Sequence, residues 1–244
     1  MTHKTKGIVL KTIFYGDSSI IVWMYTELFG LQKYIVKGIR KNTKTSQNKI
    51  AYFQPGSILA MEVYKNDLKQ LQFIKEYKWH YRFENIYFNI IKNAVATYYV
   101  ELFEHAINDT EENIELYYFL ENFLIETDKT ANHQLANTPL FFGLKLAEMI
   151  GFQIDGEYNS IKSTLDLQEG KFINAKPDHN YYLEEKYAEL TSYINKHPEM
   201  TFSGFPEMSR KTRQQLLNSY EIYFTLHIDN FTKLKSLPIL QTVL

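Results

Sequence analysis

The first third of the chain alternates short apolar runs with turn residues. The runs are rich in β-branched and aromatic residues and are bounded by Gly, Pro, Asn or Asp, which is typical of β-strands joined by turns. A polar connection at 38–49 separates the third run from the fourth. Five short strands with one long connection predict a small closed barrel of the OB type. The runs cover residues 7–14, 19–26, 31–36, 57–64 and 71–79.

After Trp79 the apolar residues recur every three or four positions, as in helices that bury one face. Asp109 and Glu112 form a predicted capping box for the second helix, and Thr138 is the predicted N-cap of the third. The helices are predicted at about 86–106, 113–125, 138–150, 184–194 and 207–231.

The stretch 152–182 interrupts the helical spacing. Within it, residues 165–173 have the pattern of a β-hairpin with its turn at Glu169-Gly170. The pattern therefore predicts an α+β protein. An OB-type barrel over 1–80 is followed by an all-α helical domain over 81–244, in which 152–182 is a small hairpin insert.

Lysine and arginine are concentrated in the predicted barrel. Residues 1–80 hold 13 Lys and Arg against 5 Asp and Glu, whereas residues 81–244 hold 14 against 23. The net charge of the whole chain, −1, hides this asymmetry. A basic module joined to an acidic body favours a polyanionic partner.

Signatures of catalysis and metal binding are missing from the sequence. The chain has no cysteine, which excludes disulfides, thiolate zinc sites and thiol nucleophiles. It has no phosphate-binding Gly-rich loop, GxSxG elbow or HExxH motif. Glu101, Glu104 and His105 are the most metal-like group, but a carboxylate-bridged dimetal site needs a second Glu-x-x-His pair, and none exists. We therefore expect neither an enzyme nor a bound cofactor or metal.

Basic residues of the first third supply the candidate nucleic-acid contacts. On an OB barrel, a groove lined with cations follows a phosphate backbone while aromatic rings stack on bases. Tyr34 and Trp23 are candidate stacking residues, although the apolar run around Trp23 favours a place in the core. Lys33 and Lys37 lie four apart and share one face of a strand. The predicted contacts are Lys6, Lys11, Lys33, Lys37, Arg40, Lys41, Lys44 and Lys49.

The order of several short motifs resembles the RecO family of bacterial DNA repair proteins. The motifs match the family pattern in order and spacing and are spread over nearly the whole chain. Each alone is a weak signal, and their order carries the resemblance. They are Gly7–Lys11, Tyr15–Ser19, Tyr25–Gly30, Val36–Lys41, Phe53–Gly56 and Leu234–Leu237.

The resemblance implies a recombination mediator rather than an enzyme, with its basic contacts centred on Val36–Lys41. Family members bind single- and double-stranded DNA, anneal complementary strands and contact the C-terminal tail of single-stranded DNA-binding protein. With RecR they help RecA to load on covered DNA. Many members carry a four-cysteine zinc site in the insert between the helices. Because residues 152–182 contain no cysteine, we expect a metal-free hairpin there.

Two other functions fit the same pattern. One is an OB module for structured RNA with an acidic protein-docking helical body, which competition between matched DNA and RNA would separate from the first. The other is an interaction scaffold whose basic loop binds an acidic peptide, and it predicts no mobility shift with DNA at low salt. We expect a cytoplasmic, nucleoid-associated protein without a membrane segment, because the longest apolar run, residues 20–25, is short.

Overall fold

The structure, a computed structural model, describes residues 2–39, 49–107, 111–198 and 202–244. Its strands are β1 (Thr2–Tyr15), β2 (Ser19–Thr26), β3 (Gly30–Val36), β4 (Ile58–Tyr64), β5 (Leu71–Tyr81), β6 (Thr164–Asp166), β7 (Lys171–Ile173) and β8 (Tyr182–Glu184). Its helices are α1 (Ile90–Ala106), α2 (Ile114–Lys129), α3 (Thr138–Met149), α4 (Glu185–Lys196), α5 (Arg210–His227) and α6 (Ser236–Val243). Within these ranges no helix has the length and apolar character needed to cross a membrane.

Strands β1 to β5 close into the predicted barrel. The order around it is β1-β2-β3-β5-β4, with β3 and β5 parallel and every other pair antiparallel. The first half of β1 pairs with β4 and its second half with β2, and a register shift between Val9 and Lys11 bends the strand near this change of partner. The prediction of an α+β fold that begins with a five-stranded OB-type barrel is confirmed.

Inward-facing side chains fill the barrel with a buried core that includes Val22, Met24 and Tyr34. Ile39, at the start of the long polar connection, and Phe53, just after its end, belong to the same cluster. The hydroxyl of Thr12 donates a hydrogen bond to the carbonyl of Phe53 at 2.7 Å. Because truncating a buried Phe costs about 3–5 kcal/mol, Phe53 anchors this end of the connection firmly to the barrel.

The start of α2 differs from the prediction. Asn113 caps the helix, because its Oδ1 accepts hydrogen bonds from the backbone N–H groups of Glu115 and Leu116 at 3.0 and 3.1 Å. The predicted capping box of Asp109 and Glu112 is wrong, and Asp109 itself lies outside the described residues. One amide side chain satisfies two of the free N–H groups of the first turn.

The start of α3 also differs from the prediction. Thr138 is the first residue of this helix rather than its N-cap. Its hydroxyl donates to the carbonyl of Leu135 at 2.9 Å, so it is turned back toward the preceding residues. The predicted end is confirmed, since Gly151 follows the helix with φ of +90°.

The last predicted helix, 207–231, is shorter in the structure, and a further helix, α6, follows beyond the predicted span. α5 ends at His227, and Asn230 adopts a left-handed φ of 61°. Two carboxylates then hold the backbone that leads into α6. Glu221 accepts from the N–H of Leu234 at 2.7 Å. Glu101 accepts from the next two N–H groups at 3.0 and 2.7 Å. The start of α6 therefore depends on residues far away in the chain.

The insert contains the predicted hairpin, formed by β6 and β7, and a third strand, β8, on the other side of β6. Gly170 takes the left-handed conformation at the turn, with φ of 65°. Asp166 Oδ1 accepts from the backbone N–H groups of Gln168 and Glu169 at 2.8 and 3.1 Å. This Asx turn stabilises the hairpin through hydrogen bonds of its own chain.

Two compact units interleave along the sequence. The first comprises 1–88 and 107–128, and the second comprises 89–106 and 129–244. Almost all of α2 therefore belongs to the same unit as the barrel. The first unit holds 14 Lys and Arg against 13 Asp and Glu, and the second holds 13 against 15. The division at residue 80, inferred from the change of structural class, stays a prediction.

Candidate nucleic-acid interface

One end of the barrel's outer surface is covered. Side chains alternate along a strand, so Ile8 and Tyr25, paired across β1 and β2, face outward while their neighbours fill the core. Both are nevertheless buried, and Tyr25 is 1% exposed. The Tyr25 hydroxyl donates to the carbonyl of Asn113 at 3.3 Å. The segment that leads into α2 therefore lies over this end of the barrel.

Lys6 lies at the covered end and is already paired. Its Nζ is 3.1 Å from a carboxylate oxygen of Glu27 and 3.7 Å from one of Glu121. It also lies 4.6 Å from the ring centroid of Tyr118. Partial burial alone would lower the pKa of Lys6, but the hydrogen bond to Glu27 and the charge of Glu121 outweigh it and raise the pKa. Lys6, one of the predicted contacts, is thus already paired with carboxylates of the first unit.

The other end of the same surface is open and carries a cation–aromatic–cation row. Lys11 pairs with Trp23 across β1 and β2, and Trp23 pairs with Lys33 across β2 and β3. The two Nζ atoms lie 6.0 and 5.6 Å from the indole centroid. Both lysines are exposed and Trp23 is half-buried. The expectation that Trp23 belongs to the core is therefore wrong.

A second cation–aromatic pair continues this surface. Lys37 follows the last residue of β3, and its Nζ lies 5.4 Å from the ring centroid of Phe73 on β5. Phe73 is 39% exposed. Ile13, on β1, is also exposed. Lys11, Ile13, Trp23, Lys33, Lys37 and Phe73 are hereafter called the open face.

Lys33 and Lys37 of the open face differ from Lys6 in their partners. Neither Lys33 nor Lys37 has a carboxylate of a described residue within 4 Å, and both are exposed. Their charges are therefore available to a polyanion. The aromatic rings beneath them provide π faces of the kind on which bases stack.

The remaining predicted contacts fall elsewhere. Lys49 is exposed and lies just before the helical turn Ala51–Phe53. Arg40, Lys41 and Lys44 lie outside the described residues.

Tyr34 cannot stack on a base, and its prediction as a stacking residue is wrong. It is fully buried in the barrel core, on the opposite side of β3 from Lys33. Burial raises the pKa of its phenol far above the ordinary value. Among the described residues its hydroxyl has no hydrogen-bond partner.

The metal-like group of the sequence has a structural role. Glu101 accepts hydrogen bonds at the start of α6, as described above. His105 Nδ1 lies 3.1 Å from the carbonyl oxygen of Thr232, and its Nε2 lies 3.3 Å from Glu104. In the part of the chain that the structure describes, no three His, Asp or Glu side chains are grouped as metal ligands. The group therefore belongs to the packing of the second unit.

Two family models cover nearly the whole chain. "Recombination protein O N terminal" matches residues 1–83, and "Recombination protein O C terminal" matches residues 87–238. The chain belongs to the RecO family. The resemblance inferred from the six motifs is thereby confirmed. The N-terminal RecO match contains the barrel and its open face, and the C-terminal match runs from before α1 into the first turn of α6.

Curated RecO proteins align with the chain from end to end. It is 32% identical to the DNA repair protein RecO of Flavobacterium psychrophilum, over 100% of this chain and 99% of the relative. It is 28% identical to that of Azobacteroides pseudotrichonymphae, with the same coverage. It is 29% identical to that of Phocaeicola vulgatus, over 99% of this chain and 98% of the relative. The protein is thus a RecO-family DNA repair protein over its full compared length.

Sequence reasoning missed Phe73 as a candidate contact. The signal was present, since an aromatic residue at an outward position of a strand is expected to be exposed unless another element covers it. Its partner Lys37 was predicted, but the pairing across β3 and β5 becomes visible only when the barrel closes.

Proposed function

We propose that this RecO-family protein binds single- and double-stranded DNA and anneals complementary strands, without making or breaking covalent bonds. The observation that carries this proposal is the row of Lys11, Trp23 and Lys33 on the open face. Membership of the RecO family supports DNA over the RNA and peptide alternatives.

The open face combines the two interactions that single strands use. Phosphates bind the ammonium groups of Lys11, Lys33 and Lys37, and this binding releases condensed counterions. Bases stack on Trp23 and Phe73, and each stacked base contributes about 1–3 kcal/mol with little sequence preference. A surface of this kind binds strands of any sequence, as repair requires.

Annealing follows from charge neutralisation. Two single strands repel each other because each carries one negative charge per nucleotide. Cations bound along both strands lower this repulsion so that bases approach and pair. A base that stacks on Trp23 or Phe73 leaves the stack of its own strand. It is then accessible to the complementary strand.

The proposed protein partners are those that membership of the RecO family implies. We propose that the protein works with RecR to help RecA load on DNA covered by single-stranded DNA-binding protein, at the nucleoid in the cytoplasm. Its contact with single-stranded DNA-binding protein would be through the acidic C-terminal tail of that protein. Such a tail needs a local basic pocket in a unit that is slightly acidic overall.

The second unit contains a cleft with the properties that this tail requires. It has a volume of about 500 Å³, and its lining includes Phe205, Pro206, Met208, His133 and Arg213 together with one carboxylate, Glu207. Arg213 is only half exposed, and burial together with the charge of nearby Arg210 lowers its pKa. A bound anion would offset the repulsion between Arg213 and Arg210. Phe205→Ala should weaken the binding of a labelled tail peptide in fluorescence polarisation, and unchanged binding would move the tail site elsewhere.

The salt dependence of DNA binding tests the open face. The triple variant Lys11→Gln, Lys33→Gln and Lys37→Gln should reduce the slope of log K against log salt on single strands by about 2, at about 0.7 per lost phosphate contact. It should also slow annealing. A triple variant of lysines in the second unit, Lys145→Gln, Lys171→Gln and Lys186→Gln, has the same loss of charge and should behave as wild type.

The outcomes separate the alternatives. Equal slopes for the two triple variants would contradict the assignment to the open face. A clear preference for RNA in competition with matched DNA would favour the RNA module. Loss of the mobility shift with every nucleic acid at low salt would favour the scaffold.

A further inference from the structure

A cleft in the first unit, separate from the residues of the open face, has an aromatic lining. It has a volume of about 720 Å³. It lies between the helical turn Ala51–Phe53 and the segment 79–88. Its lining comprises Ala51, Gln54, Trp79, Arg82, Phe83, Glu84, Tyr87 and Phe88. None of these residues belongs to the open face.

One wall of the cleft is a preformed ring stack. The ring of Trp79 lies nearly parallel to that of Tyr52, with centroids 4.5 Å apart and an interplanar angle of 18°. Tyr77 packs edge-on against Tyr52 at 5.3 Å and against Phe53 at 4.9 Å. Because Phe53 is fixed in the barrel core, the indole is held in place before any ligand arrives.

The opposite wall is held equally firmly. The hydroxyls of Tyr87 and Ser57 form a hydrogen bond of 3.0 Å, and the Phe83 ring packs edge-on against Tyr87 at 5.8 Å. The buried carboxylate of Asp128 accepts three backbone N–H groups of residues 84–86 at 2.8–3.0 Å. The cleft therefore needs little ordering when a ligand binds.

The free groups of the cleft are one apolar ring and a polar rim. Phe88 is 87% exposed, which is unusual for a phenylalanine at the end of a rigid segment. Gln54, Arg82 and Glu84 are exposed around the lining. Together they offer amide, guanidinium and carboxylate groups, which are hydrogen-bond donors and acceptors beside aromatic faces.

We propose that this cleft binds one unpaired nucleobase of a DNA strand, as a second site distinct from the open face. A base is a planar ring with donors and acceptors at its edge, so it uses both the aromatic walls and the polar rim. An aliphatic side chain of a peptide would use the walls and leave the rim without partners. The proposal rests on the proposed function only for the source of the base.

With a second base site, the protein would contact single-stranded DNA at two separate places, the open face and the cleft. A strand that crosses the open face is neutralised along its backbone, whereas the cleft removes a single base from the stack. Unpaired bases enter at the lowest cost, because a base in a duplex must first lose its pairing and stacking. The cleft therefore favours single strands over duplexes, which the phosphate contacts alone do not.

The two tryptophans of the chain provide the test. Trp23 belongs to the open face and Trp79 to the cleft, so Trp23→Phe and Trp79→Phe each leave one reporter. Short oligothymidylate should quench the emission of both single-tryptophan proteins, because stacking on a base quenches indole fluorescence. An abasic oligomer with the same number of phosphates should bind the open face and leave Trp79 emission unchanged.

Variants at the rim sharpen the test. In the Trp23→Phe background, Phe88→Ala and Arg82→Gln should each raise the oligothymidylate concentration for half-maximal Trp79 quenching by about fivefold, the smaller end of the stacking range. In the Trp79→Phe background the same changes should leave Trp23 quenching unaltered. Both positions are exposed, so folding is not at risk.

Each outcome decides between the two sites. Quenching of Trp23 without Trp79 would overturn the cleft and leave the proposed function standing. Quenching of Trp79 without Trp23 would support the cleft and contradict the open face. No response of either reporter, with no retained DNA, would overturn both. Quenching of Trp79 by an acidic peptide containing phenylalanine, but not by oligothymidylate, would replace the base with a protein partner.

Discussion

The covered end and the open face of the same barrel treat their lysines in opposite ways. Lys6 lies between two carboxylates and above a tyrosine ring. Lys33 lies above an indole and is exposed to solvent. Both are lysines on the outer side of one sheet, on strands β1 and β3, which flank β2. What differs is α2, which covers one end and leaves the other bare.

The net charge of a sequence segment therefore does not equal the charge that a partner can reach in the folded protein. Residues 1–80 have a large excess of cations, but the compact unit that contains them is almost neutral. The segment 107–128 adds seven carboxylates and no lysine or arginine. Part of this acidic charge neutralises cations such as Lys6, so the basic character concentrates on the open face.

The largest expected effect comes from breaking the hydrogen bonds that hold residues 84–86 to Asp128. Asp128→Ala should lower the free energy of unfolding by about 3–5 kcal/mol, because it leaves three backbone N–H groups of residues 84–86, one of them buried, without an acceptor. Urea denaturation measures this loss. The control Asn122→Ala, at an exposed position of the same helix, should change stability little. Equal effects would mean that Asp128 does not hold the segment.

The next effect distinguishes Lys6 from Lys33 by stability and by the salt dependence of DNA binding. Lys6→Gln should cost about 2 kcal/mol of stability, because it leaves the buried Glu121 carboxylate without its cation. The salt slope of DNA binding should be unchanged. Lys33→Gln should show the reverse, with a reduced slope and stability within about 0.5 kcal/mol of wild type. A reduced slope for Lys6→Gln would show that the covered end also binds DNA.

A smaller effect concerns stacking on the open face. Phe73→Ala should weaken binding of single strands by about 1–2 kcal/mol, roughly five- to thirtyfold, because a base loses its ring. Fluorescence polarisation with labelled DNA measures it. Leu68 is 96% exposed in the loop before β5 and offers a matched control, since Leu68→Ala removes apolar surface elsewhere. Similar losses for both variants would argue against stacking at Phe73.

The smallest effect is the pH dependence of the covered end. Burial alone would raise the pKa of Glu27, but hydrogen bonds from Tyr118 and Lys6 lower it below the ordinary value. Ionised Glu27 therefore stabilises the fold above about pH 4.3, and this contribution is lost as the pH falls through its folded pKa. The stability difference between wild type and Glu27→Gln should shrink between about pH 5 and pH 3. A constant difference would exclude ionisation as its source.

The local sequence pattern was sufficient to predict the barrel strands and the hairpin. Alternation of apolar and polar residues and the choice of turn residues both act over only a few positions. The same alternation argues against the predicted stacking role of Tyr34, because the pattern that puts Lys33 outward puts Tyr34 inward, and this was overlooked in the prediction. The register shift between Val9 and Lys11 was not readable. In a regular strand Lys6 and Lys11, five apart, would face opposite sides, and the shift turns both outward.

Features that depend on distant residues could not be predicted in this way. Nothing near Lys6 in the sequence indicates that Glu121 will neutralise it. Nothing near Ser236 indicates that Glu101 will hold the start of α6. The cleft around Trp79 is similar, because its walls come from two segments that the barrel brings together. Tertiary contacts, rather than local propensity, decide which lysines and which rings reach a ligand.

The interleaving of the two compact units sets an order for folding during synthesis. The first unit is complete once Asp128 has left the ribosome. The second unit begins at residue 89, before the first is complete, yet Glu101 receives its partner only when Ser236 has been made. At about 5–20 residues per second, the 135 residues from Glu101 to Ser236 take roughly 7–27 s to add, and the Glu101 carboxylate lacks this partner during that time. The barrel and α2 can therefore fold while the rest of the protein is still being translated.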